Sequence, residues 1–291
     1  MKKLSEFCAK GFKVIEEMIP VSGNVTLKVT TFTSAEKNNN PKIVFVAGWV
    51  SLIDGWQIVL KEMTKEYTVY YVETREKNTS VVKGKVEFTI DALGNDLGEV
   101  ISHFGLKDGE YLLFGSSLGA TTILNSCMHM PIKPLALILV GPNAYFRIPR
   151  FGKALIKSFY PPSYMWFKPY VKWYLKTFRL DVKSDYAQYE KYCGALDAAD
   201  PWKLKRAAIA FFNYSVWHIL PLIDIPTLVV GASKDELHEP ENLKKIVAQM
   251  KTATYIDMET NKNTHSEEVV HQMKDYLTGI KVKAQRRVHG K

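Results

Sequence analysis

The chain has 291 residues, of which 46% are hydrophobic and 24% are charged, and this ordinary composition excludes a disordered or fibrous protein. Lys and Arg outnumber Asp and Glu by 39 to 30, so the formal net charge of +9 suits either an anionic partner or a self-repelling surface. The length fits one domain that carries an insertion.

Neither the apolar runs nor the cysteines indicate a membrane span or a secreted scaffold. No apolar run approaches the roughly 18 residues that a membrane span needs, and Met1–Glu6 carries charge before a signal-like stretch can form. We therefore expect a cytoplasmic protein. The three cysteines, Cys8, Cys127 and Cys193, are odd in number and widely spaced, which argues against a disulfide framework and a zinc site. We expect no metal.

The first elements along the chain form a predicted hairpin. Phe12–Ile19 and Val25–Phe32 are two strand-like runs, and Ser22-Gly23-Asn24 between them is a turn signal. Beyond the hairpin, apolar runs alternate with helical patterns, which is typical of a parallel sheet covered by helices on both faces. Further strands are predicted at Lys42–Ala47, Tyr67–Val72, Tyr111–Phe114, Leu135–Val140, Thr227–Val230 and Ala253–Met258, and helices at Trp56–Glu66, Thr89–Phe104, Ala120–Met128, Pro240–Met250 and Ser266–Leu277.

One long interval, Gly141–Leu222, has no clear buried strand, although strands and helices alternate on both sides of it. We interpret residues 142–221 as a helical cap inserted into a core domain made of residues 1–141 and 222–291. The predicted fold class is α/β, with a mostly parallel, doubly wound sheet that opens with an antiparallel hairpin and carries an inserted helical cap.

The most specific local pattern is the pentapeptide Gly115-Ser116-Ser117-Leu118-Gly119. The apolar run Tyr111–Phe114 precedes it, and the small residues Ala120-Thr121-Thr122 begin a helix after it. A strand that turns sharply into a helix places Ser117 on a strained elbow, and the flanking glycines remove side chains that would clash there. This context predicts an exposed, nucleophilic serine hydroxyl at a helix N-terminus.

A serine hydroxyl needs a base, and the base needs a carboxylate to orient it. Asp235 follows the predicted strand that begins at Thr227, and His265 comes 30 residues later, after the last predicted strand. Ser266 is a plausible N-cap of the closing helix. His238 lies only three residues past Asp235, so a structural or substrate-facing role suits it better than that of the general base.

With these residues the sequence resembles the α/β-hydrolase family over about Ile19–Leu277, and the order serine, acid, histidine is that of the family. The resemblance implies that Ser117 is the nucleophile, Asp235 the acid and His265 the base, with no cofactor. In some members the acid follows the preceding strand, but Gly141-Pro142-Asn143 holds no carboxylate, which favours Asp235.

The resemblance also implies an oxyanion hole built from two backbone N–H groups. Leu118, the residue after the nucleophile, supplies one of them. We assign the other to Trp49, in the loop after the third strand, with Val50 as the alternative. Many members have His-Gly where this chain has Ala47-Gly48, and a Gly-rich turn where it has Glu73–Ser80, so the resemblance identifies no subfamily.

The segment Tyr145–Phe178 holds 12 of the 35 aromatic residues, with Lys168, Lys172 and Lys176 at helical spacing. One interpretation is a cap helix with a solvated lysine face and an aromatic face on the core. Others are an acyl pocket and peripheral contact with an anionic membrane. Single-stranded nucleic acid also suits such a pattern, but no other feature supports it and we expect no nucleic-acid partner. The candidate pocket residues are Phe159, Tyr164, Trp166 and Tyr170.

Together these patterns predict a serine hydrolase, similar to a carboxylesterase or thioesterase, that cleaves an ester or thioester of a small-to-medium apolar acyl group through an acyl-enzyme. Acyl transfer and carbon–carbon bond hydrolysis are alternatives within the same fold. A ligand-binding protein with little turnover is the alternative from another class. The expected partner is a small-molecule ester or thioester substrate.

Overall fold

One twisted sheet organises the computed structural model. The structure describes residues 3–34, 39–146, 150–180, 182, 186–235 and 240–289. The strands within these ranges are β1 (Phe12–Val21), β2 (Val25–Ser34), β3 (Lys42–Val46), β4 (Val69–Val72), β5 (Val81–Val82), β6 (Tyr111–Ser116), β7 (Ala136–Val140), β8 (Thr227–Gly231) and β9 (Ala253–Asp257).

The strand order is β1-β2-β4-β3-β6-β7-β8-β9, and the short β5 pairs with β2. Strands β1 and β2 form the predicted antiparallel hairpin, in which Phe12 lies opposite Ser34 and Val21 opposite Val25. Strand β2 runs antiparallel to β4, whereas all pairs from β4 to β9 along the sheet are parallel. The predicted mostly parallel sheet that opens with a hairpin is therefore confirmed.

The central strands of this sheet are buried on both sides, because helices cover both faces. In β3, Val44 and Val46 belong to one buried cluster, and Ile43 and Phe45 belong to the other. This alternation is the two-residue period of a strand. The α-helices are α1 (Gln57–Met63), α2 (Ile90–His103), α3 (Leu118–Ser126), α4 (Arg150–Ser158), α5 (Tyr164–Tyr174), α6 (Tyr186–Ala198), α7 (Pro201–Ala210), α8 (Pro240–Gln249), α9 (Asn261–Thr264) and α10 (Glu267–His289).

The connection between β7 and β8 is helical, as its sequence predicts. It holds α4 to α7 and, within its described residues, no strand beyond a single bridge between Tyr145 and Ser215. A π-helical turn, Leu175–Arg179, extends α5. The division of the chain into a core and a cap stays a prediction. None of the described helices is both long and apolar enough to span a membrane.

The loop after β4 is held by a buried ion pair. Arg75 donates from Nε to Asp96 Oδ2 at 2.7 Å and from Nη2 to Asp96 Oδ1 at 2.6 Å, and both side chains are almost fully buried. Ser80 Oγ donates to the carbonyl oxygen of Arg75 at 2.6 Å. Charged and hydroxyl groups therefore hold this loop, Glu73–Ser80, against α2.

Candidate active site

Ser117 lies on a strained elbow between β6 and α3. Its φ of 49° and ψ of −112° are a conformation that a non-glycine residue rarely adopts. Two hydrogen bonds hold the elbow, because Ser117 N donates to Val140 O at 2.8 Å and Thr121 N donates to Ser117 O at 2.9 Å. The side chain is therefore displayed at the N-terminal end of α3, where the sequence predicts it.

The two glycines of the pentapeptide allow α3 to pack this close to the sheet. A Cβ at Gly115 would lie 2.7 Å from the backbone nitrogen of Ala120. A Cβ at Gly119 would lie 2.0 Å from the carbonyl oxygen of Val46. Both contacts are far shorter than a carbon atom tolerates, and the backbone atoms involved cannot rotate away.

Gly119→Ala is expected to lower the free energy of unfolding by about 3 kcal/mol or more, because α3 would have to move off β3. The matched control is Gly98→Ala in α2, where a Cβ would meet nothing within 4 Å. Alanine is favoured over glycine inside a helix by about 0.5–1 kcal/mol, so the control is expected to be neutral or stabilising. Urea unfolding checks both variants, and equal effects would contradict the proposed close packing at Gly119.

Asp235 is buried in the loop after β8. Hydrogen bonds connect this loop to the end of β9 and the turn that follows it. Ser233 N donates to Asp257 Oδ1 at 2.8 Å, and Lys234 N donates to Glu259 O at 2.8 Å. Burial alone would raise the pKa of Asp257, but the N–H groups that donate to it hold this pKa below its ordinary value. The Asp235 carboxylate accepts a hydrogen bond from Asn261 Nδ2 at 2.8 Å. The loop that holds Asp235 is thus bound to the turn that precedes His265.

His265 follows the single turn of α9. Its Nδ1 lies 3.0 Å from Asn261 O and 3.0 Å from Thr264 Oγ1. Its ring packs against the buried Trp56, with 4.1 Å between the centroids. Asn261 therefore contacts both predicted partners of the serine, since its amide reaches Asp235 while its carbonyl oxygen lies beside the imidazole.

Ser117 and His265 line the same open pocket, whose empty space is about 480 Å³ when the solvent at its mouth is included. Asp235 lines a neighbouring, smaller pocket, and His265 and Asn261 border both pockets. Burial, and then the nearby charge of Asp235, raise the pKa of the Tyr192 phenol well above its ordinary value. The structure therefore brings the three predicted residues to one region at the carboxyl ends of the strands.

The loop after β3 lies against the elbow. A Cβ at Gly48 would be 3.2 Å from Ser117 Cβ, and Trp49 lines the pocket. Ser51 N donates to Gly48 O at 3.1 Å, and this turn places Val50 at a φ of 50°. Leu118 is the first residue of α3, so its N–H is among those that an α-helix leaves without an intrahelical acceptor. The choice of Leu118 and Trp49 as oxyanion donors remains a prediction.

Asn143 was not predicted to contact the nucleophile. Its Nδ2 donates to Ser117 Oγ at 3.2 Å, while Thr121 fixes its backbone by donating to Asn143 O at 3.1 Å and accepting from Asn143 N at 2.9 Å. Asn261 was also missed. A single amide residue belongs to no motif. Only their positions, Asn143 after β7 and Asn261 after β9, could have indicated these two residues.

The aromatic residues predicted to line the acyl pocket are not among those that line the pocket of Ser117. Phe159 packs on Phe167, with 5.4 Å between the ring centroids. Tyr164 is buried, and its hydroxyl donates to Leu196 O at 2.9 Å. Trp166 and Tyr170 are 85% and 61% exposed, because they lie on the outer side of α5.

Helix α6 instead supplies the part of the pocket that comes from this interval. Lys191, Tyr192 and Ala195 line it opposite the sheet. The Lys191 Nζ lies 5.2 Å from the centroid of the Trp56 ring, so this cation rests over the indole that packs on His265. Spacing alone could not identify α6, because its composition is mixed and its residues are separated from Ser117 by a long stretch of chain.

Several other predictions concern residues outside this pocket. His238 lies outside the described residues. Cys8, Cys127 and Cys193 are free thiols. Among the described residues, no three His, Cys, Asp or Glu side chains lie close enough together to hold a metal ion.

Solved structures identify the fold. No family model matches this chain, and no curated protein matches it. An enol-lactonase from Burkholderia xenovorans LB400 superposes with a TM-score of 0.75 at 16% identity, over 90% of this chain and 100% of that chain. An esterase from Thermogutta terrifontis gives 0.69 at 18%, over 95% and 99%. A bromoperoxidase from Bacillus anthracis gives 0.70 at 15%, over 91% and 100%.

These likenesses and the strand order show that the chain has the α/β-hydrolase fold. The neighbours include hydrolases whose names point to different reactions. At these identities the likeness shows the fold alone, so the reaction has to be argued from the site.

Proposed function

We propose that the protein is a serine hydrolase that cleaves a carboxylic ester or thioester through an acyl-enzyme, with Ser117 as nucleophile, His265 as base and Asp235 as the supporting carboxylate. The observation that carries this proposal is a serine on a strained strand-to-helix elbow that lines one pocket with a histidine. A purely structural serine has no need of a positive φ at the mouth of a pocket.

The contacts of His265 support its role as the base. When Nδ1 carries the proton, it donates to the carbonyl oxygen of Asn261, and Nε2 is left with a lone pair. Nε2 then accepts the Ser117 proton as Oγ attacks the carbonyl carbon of the substrate. The resulting imidazolium returns the proton to the alcohol or thiol that leaves, and water, deprotonated by the same nitrogen, releases the acid.

In this proposal the backbone N–H groups of Leu118 and Trp49 stabilise the oxyanion that develops on the substrate. Asp235 stabilises the imidazolium by its charge, and it holds Asn261 through the amide hydrogen bond. Asn143 donates to Ser117 Oγ, which leaves the hydroxyl proton free to point toward the base. These assignments give the N–H groups, the carboxylate and the Asn143 amide each a task in the same reaction.

The pocket supports an apolar acyl group as the substrate class. Trp49, Trp56, Tyr192 and Ala195 give it mostly aromatic and aliphatic walls. These walls support an apolar acyl group over a sugar, and the proposed substrate carries a small-to-medium acyl chain.

A series of p-nitrophenyl esters, from acetate to a long acyl chain, tests the proposed function. We expect turnover by the wild type with an optimum at short or medium chains, and none by Ser117→Ala. A protein that hydrolyses none of the esters, yet binds apolar acids, would contradict the hydrolase assignment and support a ligand-binding role.

Asp235→Asn is expected to lower kcat by on the order of 10³ to 10⁴, less than the loss of the nucleophile. The Asn261 carbonyl remains in place to orient the imidazole, whereas the charge that stabilises the imidazolium is lost. The matched control is Asp224→Asn, an exposed aspartate before β8, which is expected to leave kcat unchanged. Equal kcat values for the two variants would rule out Asp235 as the supporting acid.

A further inference from the structure

Helix α5 is oriented with its polar side toward the protein. Lys168 Nζ lies 2.9 Å from Asp197 Oδ1, and Lys172 Nζ lies 2.7 Å from Asp197 Oδ2, on the neighbouring α6. These two lysines hold the pKa of Asp197 below its ordinary value. Two of the three lysines expected on a solvated face, Lys168 and Lys172, thus contact the protein instead.

The opposite side of α5 is aromatic and faces solvent. Trp166, Tyr170, Trp173 and Tyr174 recur at intervals of four, three and one residues, which places them on one helical stripe. Their exposed fractions are 85%, 61%, 50% and 42%. Phe178, which is 59% exposed, continues the stripe into the π-helical turn.

Helix α4, which precedes α5, also exposes apolar residues at an interval of four, with Phe151 80% exposed and Leu155 55% exposed. We call the exposed apolar residues from the start of α4 to the end of the π-helical turn the aromatic face. Large exposed apolar patches mark interaction sites on soluble proteins, and this stretch of the chain exposes ten large apolar side chains. The aromatic face consists of Phe151, Leu155, Tyr160, Met165, Trp166, Phe167, Tyr170, Trp173, Tyr174 and Phe178.

The charges around this face favour an anionic occupant. The stretch Tyr145–Arg179 contains eight Lys or Arg residues and no Asp or Glu. Of these, Arg150 and Lys157 are exposed on α4, and Lys176 is exposed on the π-helical turn that extends α5. Two copies of the chain joined face to face would bring their basic residues together, and each copy already has a net charge of +9.

We propose that the aromatic face docks the protein on an anionic lipid surface. Trp and Tyr suit the headgroup region because each has an apolar ring and a polar atom. Helices with an aromatic side and flanking Lys and Arg lie in the plane of such an interface. The face lies one helix away from the pocket, because Asp197 joins α5 to α6 and α6 lines the pocket.

Co-sedimentation with phosphatidylglycerol vesicles, compared with pure phosphatidylcholine vesicles, tests the proposal. We expect the wild type to bind the anionic vesicles at least tenfold more tightly, and the difference to shrink as salt rises. Lys157→Gln and Lys176→Gln are expected to weaken anionic binding about fivefold each. This test measures binding only, so its result is independent of the esterase reaction.

The variant Trp166→Ser/Tyr170→Ser removes two exposed side chains without touching the pocket. It is expected to weaken vesicle binding about tenfold or more while its urea unfolding midpoint stays unchanged. The matched control is Leu222→Ser, which removes an apolar side chain that is 64% exposed outside the aromatic face and should bind as the wild type does. Vesicle binding that is as tight in the double variant as in the wild type would overturn the proposal. The proposal would also be overturned if the wild type bound no vesicles and sedimented as a dimer that the double substitution dissociates.

Discussion

Ser117→Ala is expected to lower kcat for ester hydrolysis by on the order of 10⁴ to 10⁶. The substitution leaves the elbow, the pocket and His265 in place but removes the atom that attacks the carbonyl carbon. Steady-state kinetics with the best p-nitrophenyl ester measure the loss. The matched control is Ser102→Ala, an exposed serine whose Oγ donates to Gly98 O at 3.0 Å in α2, and its kcat should equal that of the wild type.

His265→Ala is expected to cost a similar factor, and the double variant Ser117→Ala/His265→Ala should be scarcely worse than either single one. The reason is that the serine and the histidine act as one proton relay, so removing either member disables the other. Losses that multiply in the double variant would contradict a shared relay between these two residues.

Asp96→Asn is expected to lower the free energy of unfolding by about 3–5 kcal/mol. Asn keeps the size of the side chain but leaves the Arg75 guanidinium, which is 4% exposed, without a counter-charge. Burial of an uncompensated charge is among the few changes that reach this magnitude. Urea denaturation followed by circular dichroism measures the loss.

Two controls separate burial from charge pairing as such. Glu241→Gln removes an exposed ion pair with Lys244, whose Nζ lies 2.9 Å from the carboxylate, and should cost less than about 1 kcal/mol. Arg75→Met/Asp96→Leu replaces both buried charges by apolar groups and should be more stable than Asp96→Asn. If Asp96→Asn lowered the free energy of unfolding no more than Glu241→Gln does, the buried pair would contribute little to stability.

The sheet and the elbow were predictable because their signals are local and physically demanding. Strand β3 reads as a continuous apolar run because both of its faces are covered. Ser117 could be located because the clash that a Cβ at Gly119 would make with Val46 requires glycine at that spacing. The identity of the fold follows from the sequence for these reasons.

The orientation of α5 could not be predicted, since periodicity separates a lysine face from an aromatic face without saying which of them meets the protein. Asp197, far along the chain, decides it by pairing with Lys168 and Lys172. The interpretation with solvated lysines and buried aromatics was therefore wrong. The contacts of Asn143 and Asn261 are equally non-local, and a lone amide leaves no periodic signal.

Covalent labelling with a fluorophosphonate, located by peptide mass spectrometry, tests directly whether Ser117 is the nucleophile. We expect one rapid adduct on Ser117, which is absent in Ser117→Ala and much slower in His265→Ala, because the probe reacts with an activated serine. A wild-type protein that acquires no adduct, or that is labelled equally well after Ser117→Ala, would contradict the assignment of Ser117 as the nucleophile.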